Sequence, residues 1–581
     1  MKKRWSFKLL SAVFAMSLLA AACGGDDDDT GGIQTDDEGV SAGAVDTVEV
    51  QAGGTVVLAG EQEPTGLNWL QAEDNAAWTA RFMQLVWPAA AWQLPDGTFV
   101  PQDQFGTYEV TSEDPQTIEY VINEDAVWSD GTPITADDFI FTWEAQNACD
   151  EAAEAADPNT VYNAAGCQGY DVIESVEGSG DSNKTVTVTF AEPYADWVAL
   201  FSPIFPRHGF EAAGNGDLVA GFNTGFKVEN LPSGEALADH VLSGSQFIVT
   251  DYQPGVSTTL ERNEEYWGDD PAAVDTLLIR WIAEGTQQAP ALQNGEVDVI
   301  FPQAQLDLVQ QVRGIPTATT FIGFGTFWEH LDPNQDNVHL ADPAVRSALA
   351  LAIDREEIVE RLPAQFDPAA QVLNNRVFFP GDPRYVDNAA DFATQDTAAA
   401  RAALESAGYV AGADGVYEHP ERGRLSIRIT WRDPNERRQS TAQLIQAQVQ
   451  EAGIEVVFAP QPDFEFLDTG NFDLALFGWT GGSTLSGNDS IYRSTGGQNF
   501  SNNVNSEVDA LFDQANVELD ADTRTDLMNQ IDELLWQDMH SLPLFQVPEL
   551  LANDQEIGNV IYNGYGNQFT WNAQQWGTVA N

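Results

Sequence analysis

The chain has 581 residues, 43% of them hydrophobic and 16 of them Trp, so it is too long for one core and too apolar for a disordered polymer. At roughly 150 residues per domain the length implies three or four units. With 25 basic residues against 90 acidic ones the formal charge is −65, which excludes nucleic acid as a partner because binding it needs a basic surface.

Residues 1–22 read as a targeting segment. Lys2, Lys3, Arg4 and Lys8 form a positive start, Leu9 to Ala22 is an apolar run, and Cys23 follows three alanines. The run is shorter than the roughly 20 apolar residues that span a bilayer. Leu19-Ala20-Ala21-Ala22-Cys23, followed by Gly24 and Gly25, resembles a bacterial lipobox, with Ala20 where Leu is usual. The resemblance implies cleavage before Cys23, acylation of that cysteine and attachment to the membrane; an ordinary secretory signal is the alternative. Residues 23–49 then form an acidic tether, in which Asp26 to Asp29 and Asp36 to Glu38 repel one another. Cleavage removes four of the 25 basic residues and takes the net charge from −65 to −69. That charge reads as a solvated acidic surface, or alternatively as a field that attracts cationic solutes.

Cys149 and Cys167 are the thiols left after Cys23, in a compartment where thiols oxidise. A bridge between them would contribute on the order of 3 kcal/mol by loop entropy. Two unrelated buried cysteines are the other reading.

In chain order, TVVLAG from Thr55 starts the first strand and Thr117 to Ile122 alternates as another. Thr135 with Asp138 forms a capping box for a helix carrying Phe139, Ile140 and Trp143, and KTVTVTF from Lys184 reads as a half-buried strand. From Leu260 a strand turns at Asn263; Leu277 to Trp281 is a buried strand, a polar helix closes at Gly295, and Val297 to Ile300 is a further strand. A helix over 303–312 leads to a strand over 318–331. The segment from Asp332 superficially matches a calcium loop, but Asn337 stands where Gly is required and Pro343 where Glu is required, so a polar turn is predicted. Asp342 caps a helix with Pro343 in its first turn, Asp354 recaps with Glu357, and Asp396 to Ala407 is a helix stopped by Gly408. Strands at 425–430, 454–458 and 472–477 alternate with a helix over 436–452, as an α/β lobe requires. Ser506 with Asp509 is expected to cap a short helix, and Ser541 to Phe545 to return the chain to the first lobe.

The wording of several stretches is more specific than their pattern. RNEEYWGDDPAAVD from Arg262 followed by GEVDVI, WSDGTPITADDF from Trp128, DPAVRSALALAIDREEIV from Asp342, AARAALESAGY from Ala399 and FDLALFGW from Phe472 resemble, in order, the family 5 extracytoplasmic solute-binding proteins of ABC importers, which take up oligopeptides, dipeptides and nickel. The resemblance covers nearly all of the chain after about residue 50. It implies an α/β, two-lobed periplasmic-binding-protein fold of class II with an extra accessory subdomain. Lobe I is placed at 50–80, 185–320 and 545–581, the accessory subdomain at 81–184 and lobe II at 321–544. It further implies a monomer that binds a peptide or other small solute, needs no cofactor and hands its cargo to the transmembrane subunits of an ABC permease. An oligosaccharide or nickel complex is the alternative cargo. An anchored hydrolase is the rival class, against which the chain offers no Gly-x-Ser-x-Gly, no P-loop and no His-x-x-x-His.

Ligands favour the crevice at the carboxyl ends of strands. By that rule and the resemblance, the expected ligand-binding residues are Glu63, Asn68 and Trp69 at the opening strand, Trp431 and Arg432, and Trp479, Gly481, Gly482 and Ser483. Trp328 joins them because Trp328-Glu329-His330 replaces the Phe-Asn usual in relatives. Relatives that bind oligopeptides hold the peptide's amino terminus with an acid shortly after the Gly-Trp; here Thr480 to Ser483 carry no charge, and Asp489 is the substitute considered. No metal-binding cluster is predicted.

Overall fold

The computed structural model describes residues 47–580, except 96, 149–159, 235, 483 and 566–567. Cys23, most of the tether, Cys149 and Ser483 lie outside the described residues.

One ten-stranded sheet runs through both lobes. Its lobe II side is Glu455–Phe458, Ser426–Thr430 and Leu474–Thr480; its lobe I side is Val299–Ile300, Thr55–Gly60, Thr276–Trp281, Ser257–Arg262 and Phe247–Gln253. Between them stand two long neighbours, Ala318–Pro333 and Leu542–Asp554, antiparallel to each other. Thr55–Gly60 pairs in parallel with both Thr276–Trp281 and Val299–Ile300, so the chain needs a crossover between the latter two, and helix Gly285–Gln293 supplies it. The strand, crossover, strand reading of that stretch holds.

The two long strands cross from one lobe to the other. Leu542–Asp554 is buried along nearly all its length and reads LPLFQVPELLAND, the near-continuous apolar run of a strand covered on both faces. Its register against Ala318–Pro333 shifts twice, between Phe324 and Trp328 and between Glu329 and His330. Such irregularities bend and twist a strand, and these lie where the chain passes between the lobes.

A second sheet, Gly106–Glu113, Gln116–Ile122, Thr185–Phe190 and Ile173–Ser179 in spatial order, belongs to the accessory subdomain. Thr185–Phe190 pairs with both of its neighbours there. Helix Ala136–Gln146 covers it, started by the expected Thr135/Asp138 capping box. Ile118, Val186 and Phe139 share one continuous core with Val56, Leu58 and Leu277 of lobe I, which fuses the two. A separate core built on Val345, Ile358, Ile427, Ile445 and Leu476 organises lobe II.

The helix starts at Asp342, Asp354 and Asp396 fall where predicted. One differs: helix Ser506–Ala515 is capped by Asn505, whose side chain accepts from the backbone of Glu507 and Val508, while Ser506 is already its first helical residue.

Candidate functional site: a charged cavity between the lobes

Strand direction brings two sets of carboxyl ends together. Thr55–Gly60 runs out of lobe I into Glu61 to Glu63, while Ser426–Thr430 and Leu474–Thr480, parallel to each other, run out of lobe II into Trp431-Arg432 and Gly481-Gly482. Between the lobes lies a cavity of about 210 Å³. Gln93, Phe99 and Asp196 line it from one side and Arg384, Gly481 and Arg524 from the other, with Thr326 of the crossing strand also in the lining.

Gly481 is tightly placed. Its N–H donates to the Thr326 carbonyl at 2.7 Å, and a Cβ there would stand 3.0 Å from Thr326 Cβ and 3.1 Å from the Phe379 ring. Glycine lets the two backbones meet and keeps the cavity open. Gly482 lines the same space.

The other expected residues occupy different places. Trp479 is half-buried and lies nearly parallel to Phe500 (5.8 Å, 7°) and to His330 (6.0 Å, 10°). Trp328 is buried with Leu373 and Phe379, and Trp479 packs on that group. These indoles therefore back the wall that Phe379 presents to the cavity. Trp431 is buried in the lobe II core with its edge on Phe458, and exposed Arg432 covers Phe464. In lobe I, Trp69 stacks on Trp87 within the core, and buried Asn68 donates to the Phe222 carbonyl. Glu63 accepts from the Tyr252 hydroxyl at 2.5 Å and the Gly255 N–H at 2.7 Å. None of Glu63, Trp69, Trp328, Trp431, Arg432 and Trp479 is among the cavity-lining residues. For the tryptophans the physical reason is that a large aromatic beside a strand end gains more from burial than from facing a wet cleft; Glu63 is held by Tyr252 and Gly255, and Arg432 lies over Phe464.

Asp489 is engaged too. It accepts from Arg493 Nε at 2.9 Å and from the Asn516 amide at 2.7 Å, and burial pushes its carboxyl above the ordinary range. Glu329 is fully buried between Arg437 and Arg438, with bonds of 2.8–3.1 Å. Burial opposes its charge, but the two guanidinium groups prevail and hold its carboxyl down at about 2.

Two charged pairs missed by sequence reading frame the cavity. Asp196, which follows the accessory sheet, receives both arms of Arg524 from lobe II, at 2.5 and 2.6 Å. The Ser486 N–H donates to the same carboxylate at 2.9 Å, Tyr194 and Ser486 share a hydroxyl bond at 3.1 Å, and the Ala195 N–H donates to the Asn516 carbonyl at 3.1 Å. Burial alone would raise the Asp196 carboxyl; Arg524 outweighs it and holds it below the ordinary value. These contacts tie the lobes together along one edge of the cavity. The second pair, Asp382 and Arg384, is local: Nε and Nη2 of Arg384 donate to the carboxylate at 3.0 and 2.7 Å. An Asp two places before an Arg was a readable hint for this pair. Asp196 and Arg524 stand 328 residues apart, and nothing local could link them.

Two α/β lobes on a shared sheet, joined by crossing strands and separated by a polar cavity, define a periplasmic-binding-protein fold of the class with an accessory subdomain. Residues 88–502 match the family of bacterial extracellular solute-binding proteins, family 5 Middle, and the chain belongs to that family. It is 30% identical over 572 residues to the oligopeptide-binding protein OppA of Mycobacterium tuberculosis, covering 96% of this chain and 91% of that one. An uncharacterized lipoprotein of the same organism is 24% identical over 83% of this chain and 86% of its own. Among solved structures, the periplasmic EDTA-binding protein EppA superimposes with a TM-score of 0.83 at 27% identity, covering 92% of this chain and 98% of that one.

Proposed function

We propose that this protein captures peptides outside the cytoplasm and delivers them to the membrane subunits of an ABC importer by closing its lobes around them. The observation that carries this reading is the interlobe cavity beside a hinge of two long, irregularly paired strands. Such a device needs no catalytic group. It needs a closed form that binds solute better than its open form, since only differential affinity shifts the equilibrium. The likeness to OppA over nearly the full chain supports peptide as the cargo.

In the same reading the chain works as a monomer, tethered through an acylated Cys23, and the likeness to a lipoprotein supports that anchor. Lobe I comprises 50–80, 191–320 and 545–581, the accessory subdomain 81–190 and lobe II 321–544. Gly481 and Gly482 form the ligand-facing floor, and Trp328 and Trp479 support it from behind. Cys167 is disulfide-bonded, and Cys149 is its partner in this reading.

The likeness to EppA favours a second reading, in which the cargo is a small polycarboxylate chelate. Thermal denaturation of the purified protein tests both: pools of short peptides raise the midpoint in the first case, EDTA in the second, and no shift with either at millimolar concentration refutes both.

A further inference from the structure

A short segment near the end of the chain, Tyr562-Asn563-Gly564-Tyr565, reaches both crossing strands, the accessory subdomain and lobe II. Its first contact is with the crossing strand Ala318–Pro333. Gly323 and Gly325 lie two residues apart, on one face of that strand, and Tyr562 fills the slot they leave: a Cβ on Gly323 would stand 2.6 Å from its ring, and one on Gly325 2.6 Å from its hydroxyl and 3.0 Å from the Gly564 carbonyl. The Tyr562 hydroxyl donates at 2.5 Å to Glu549 of the second crossing strand, the residue that pairs with Gly323. The Thr326 N–H donates to the Gly564 carbonyl at 3.3 Å. Tyr562 thus holds both crossing strands, and Gly325 lies inside the register shift between Phe324 and Trp328.

A few residues on, the same segment meets both walls of the cavity. The Asn563 amide donates to the Gln93 carbonyl of the accessory subdomain at 2.9 Å. Tyr565 is buried and lines the cavity; a Cβ on Gly97 would stand 3.1 Å from its ring, and its hydroxyl donates to Asp382 at 3.3 Å. With 545–581 in lobe I and 321–544 in lobe II, parting the lobes breaks that last bond, while Tyr562 stays seated on the crossing strands. The two tyrosines do not move independently. The Asn563 side chain accepts from the Tyr565 N–H at 2.9 Å, an Asx turn that closes the segment on itself, so a displacement at Tyr565 is passed to Tyr562.

We propose that Tyr562 and Tyr565 are positioning residues of solute capture: Tyr565 registers closure at the cavity through Asp382, and Tyr562, seated in the glycine slot, holds the crossing strands at the angle that closure requires. The inference rests on the solute-capture reading and says how a closed cavity and a set hinge become one event. Coupling of two sites needs an element whose contacts differ between two states, and the Tyr565–Asp382 bond supplies that difference. Burial and the Glu549 carboxylate beside it push the Tyr562 phenol well above its ordinary range, so it stays a donor to Glu549 through neutral pH.

The test is calorimetric titration and small-angle scattering of the purified protein with short-peptide pools and with EDTA, carried forward with the probe that binds the wild type. Tyr565→Phe keeps the ring and removes one hydrogen bond, so it should weaken binding about 3- to 10-fold with the thermal midpoint of the free protein unchanged. Gly325→Ala and Tyr562→Ala disturb the same slot from its two sides. Each should weaken binding about 10-fold or more and leave the protein extended in scattering with probe present, and the two combined should lose no more than either alone. Where the Ala variants unfold, Tyr562→Phe, which drops only the Glu549 bond, is combined with Tyr565→Phe, and the pair should lose less than the sum of the two. Wild-type compaction in every variant, or losses that simply add, overturns the proposal while solute capture stands. A wild type that neither binds nor compacts with any probe overturns both.

Discussion

Replacing Arg524 by alanine removes one half of the ion pair that bridges the lobes. Asp196 and Arg524 are 9% and 7% exposed, and their two bonds are 2.5 and 2.6 Å long. Removing one partner of a buried pair costs about 3–5 kcal/mol, because the other charge stays desolvated. Asp196 and Arg524 belong to different lobes, so parting the lobes would return both groups to water, and in that case the cost falls on closure and not on the folding of either lobe. At about 1.4 kcal/mol per tenfold, the closing constant drops by roughly two to three and a half powers of ten. If the closed form is the binding form, apparent affinity falls with its population. Small-angle scattering with saturating peptide should show the wild type compact and Arg524→Ala extended, with thermal midpoints of the free proteins within a few degrees. The double variant Asp196→Ala/Arg524→Ala leaves no unpaired charge and should lose less than Arg524→Ala alone. Asp196 also sets a pH dependence. Its carboxyl is held below 3.8 in the closed form, so its contribution to closure is complete above that value and disappears as pH falls through the lowered one. Identical scattering for wild type and Arg524→Ala, or a double variant weaker than the single one, would refute this reasoning.

Gly481→Leu directs a side chain against Thr326 and Phe379 and into the cavity; it should erase ligand-induced thermal upshift while costing about 1–3 kcal/mol of stability. Glu329→Gln leaves Arg437 and Arg438 without their common anion and should cost about 3–5 kcal/mol in urea titration. The Glu329 carboxyl moves from 4.5 down to about 2 on folding, so its contribution is full above about 4.5 and is lost as pH falls towards 2. Burial holds His540 down at about 4 against 6.5 when unfolded. Stability should therefore fall between pH 6.5 and 4 as the unfolded chain takes up the proton, and His540→Leu should flatten that slope. Non-reducing peptide mapping should recover Cys149 linked to Cys167, and loss of the bridge should cost about 3 kcal/mol.

Local order was legible in the residues themselves. Caps at Thr135, Asp342, Asp354 and Asp396 and the alternation of TVTVTF act over a few residues, so the sequence carries them openly. The strand ends were legible as well, which is why Gly481 and Gly482 fell on the cavity. Which side chain at a strand end faces inward was not. Trp69, Trp328 and Trp431 sit beside the right ends but are claimed by packing against Trp87, Phe379 and Phe458, partners that only the folded chain supplies.

By themselves caps and periodicity determined an α/β chain, and the two-lobed arrangement was implied only by the resemblance of several stretches to a known family. Tertiary structure alone decided the charge of the cavity. Asp196 and Arg524 are joined across 328 residues. Electrostatic pairing depends on distance in space, and no local pattern encodes it.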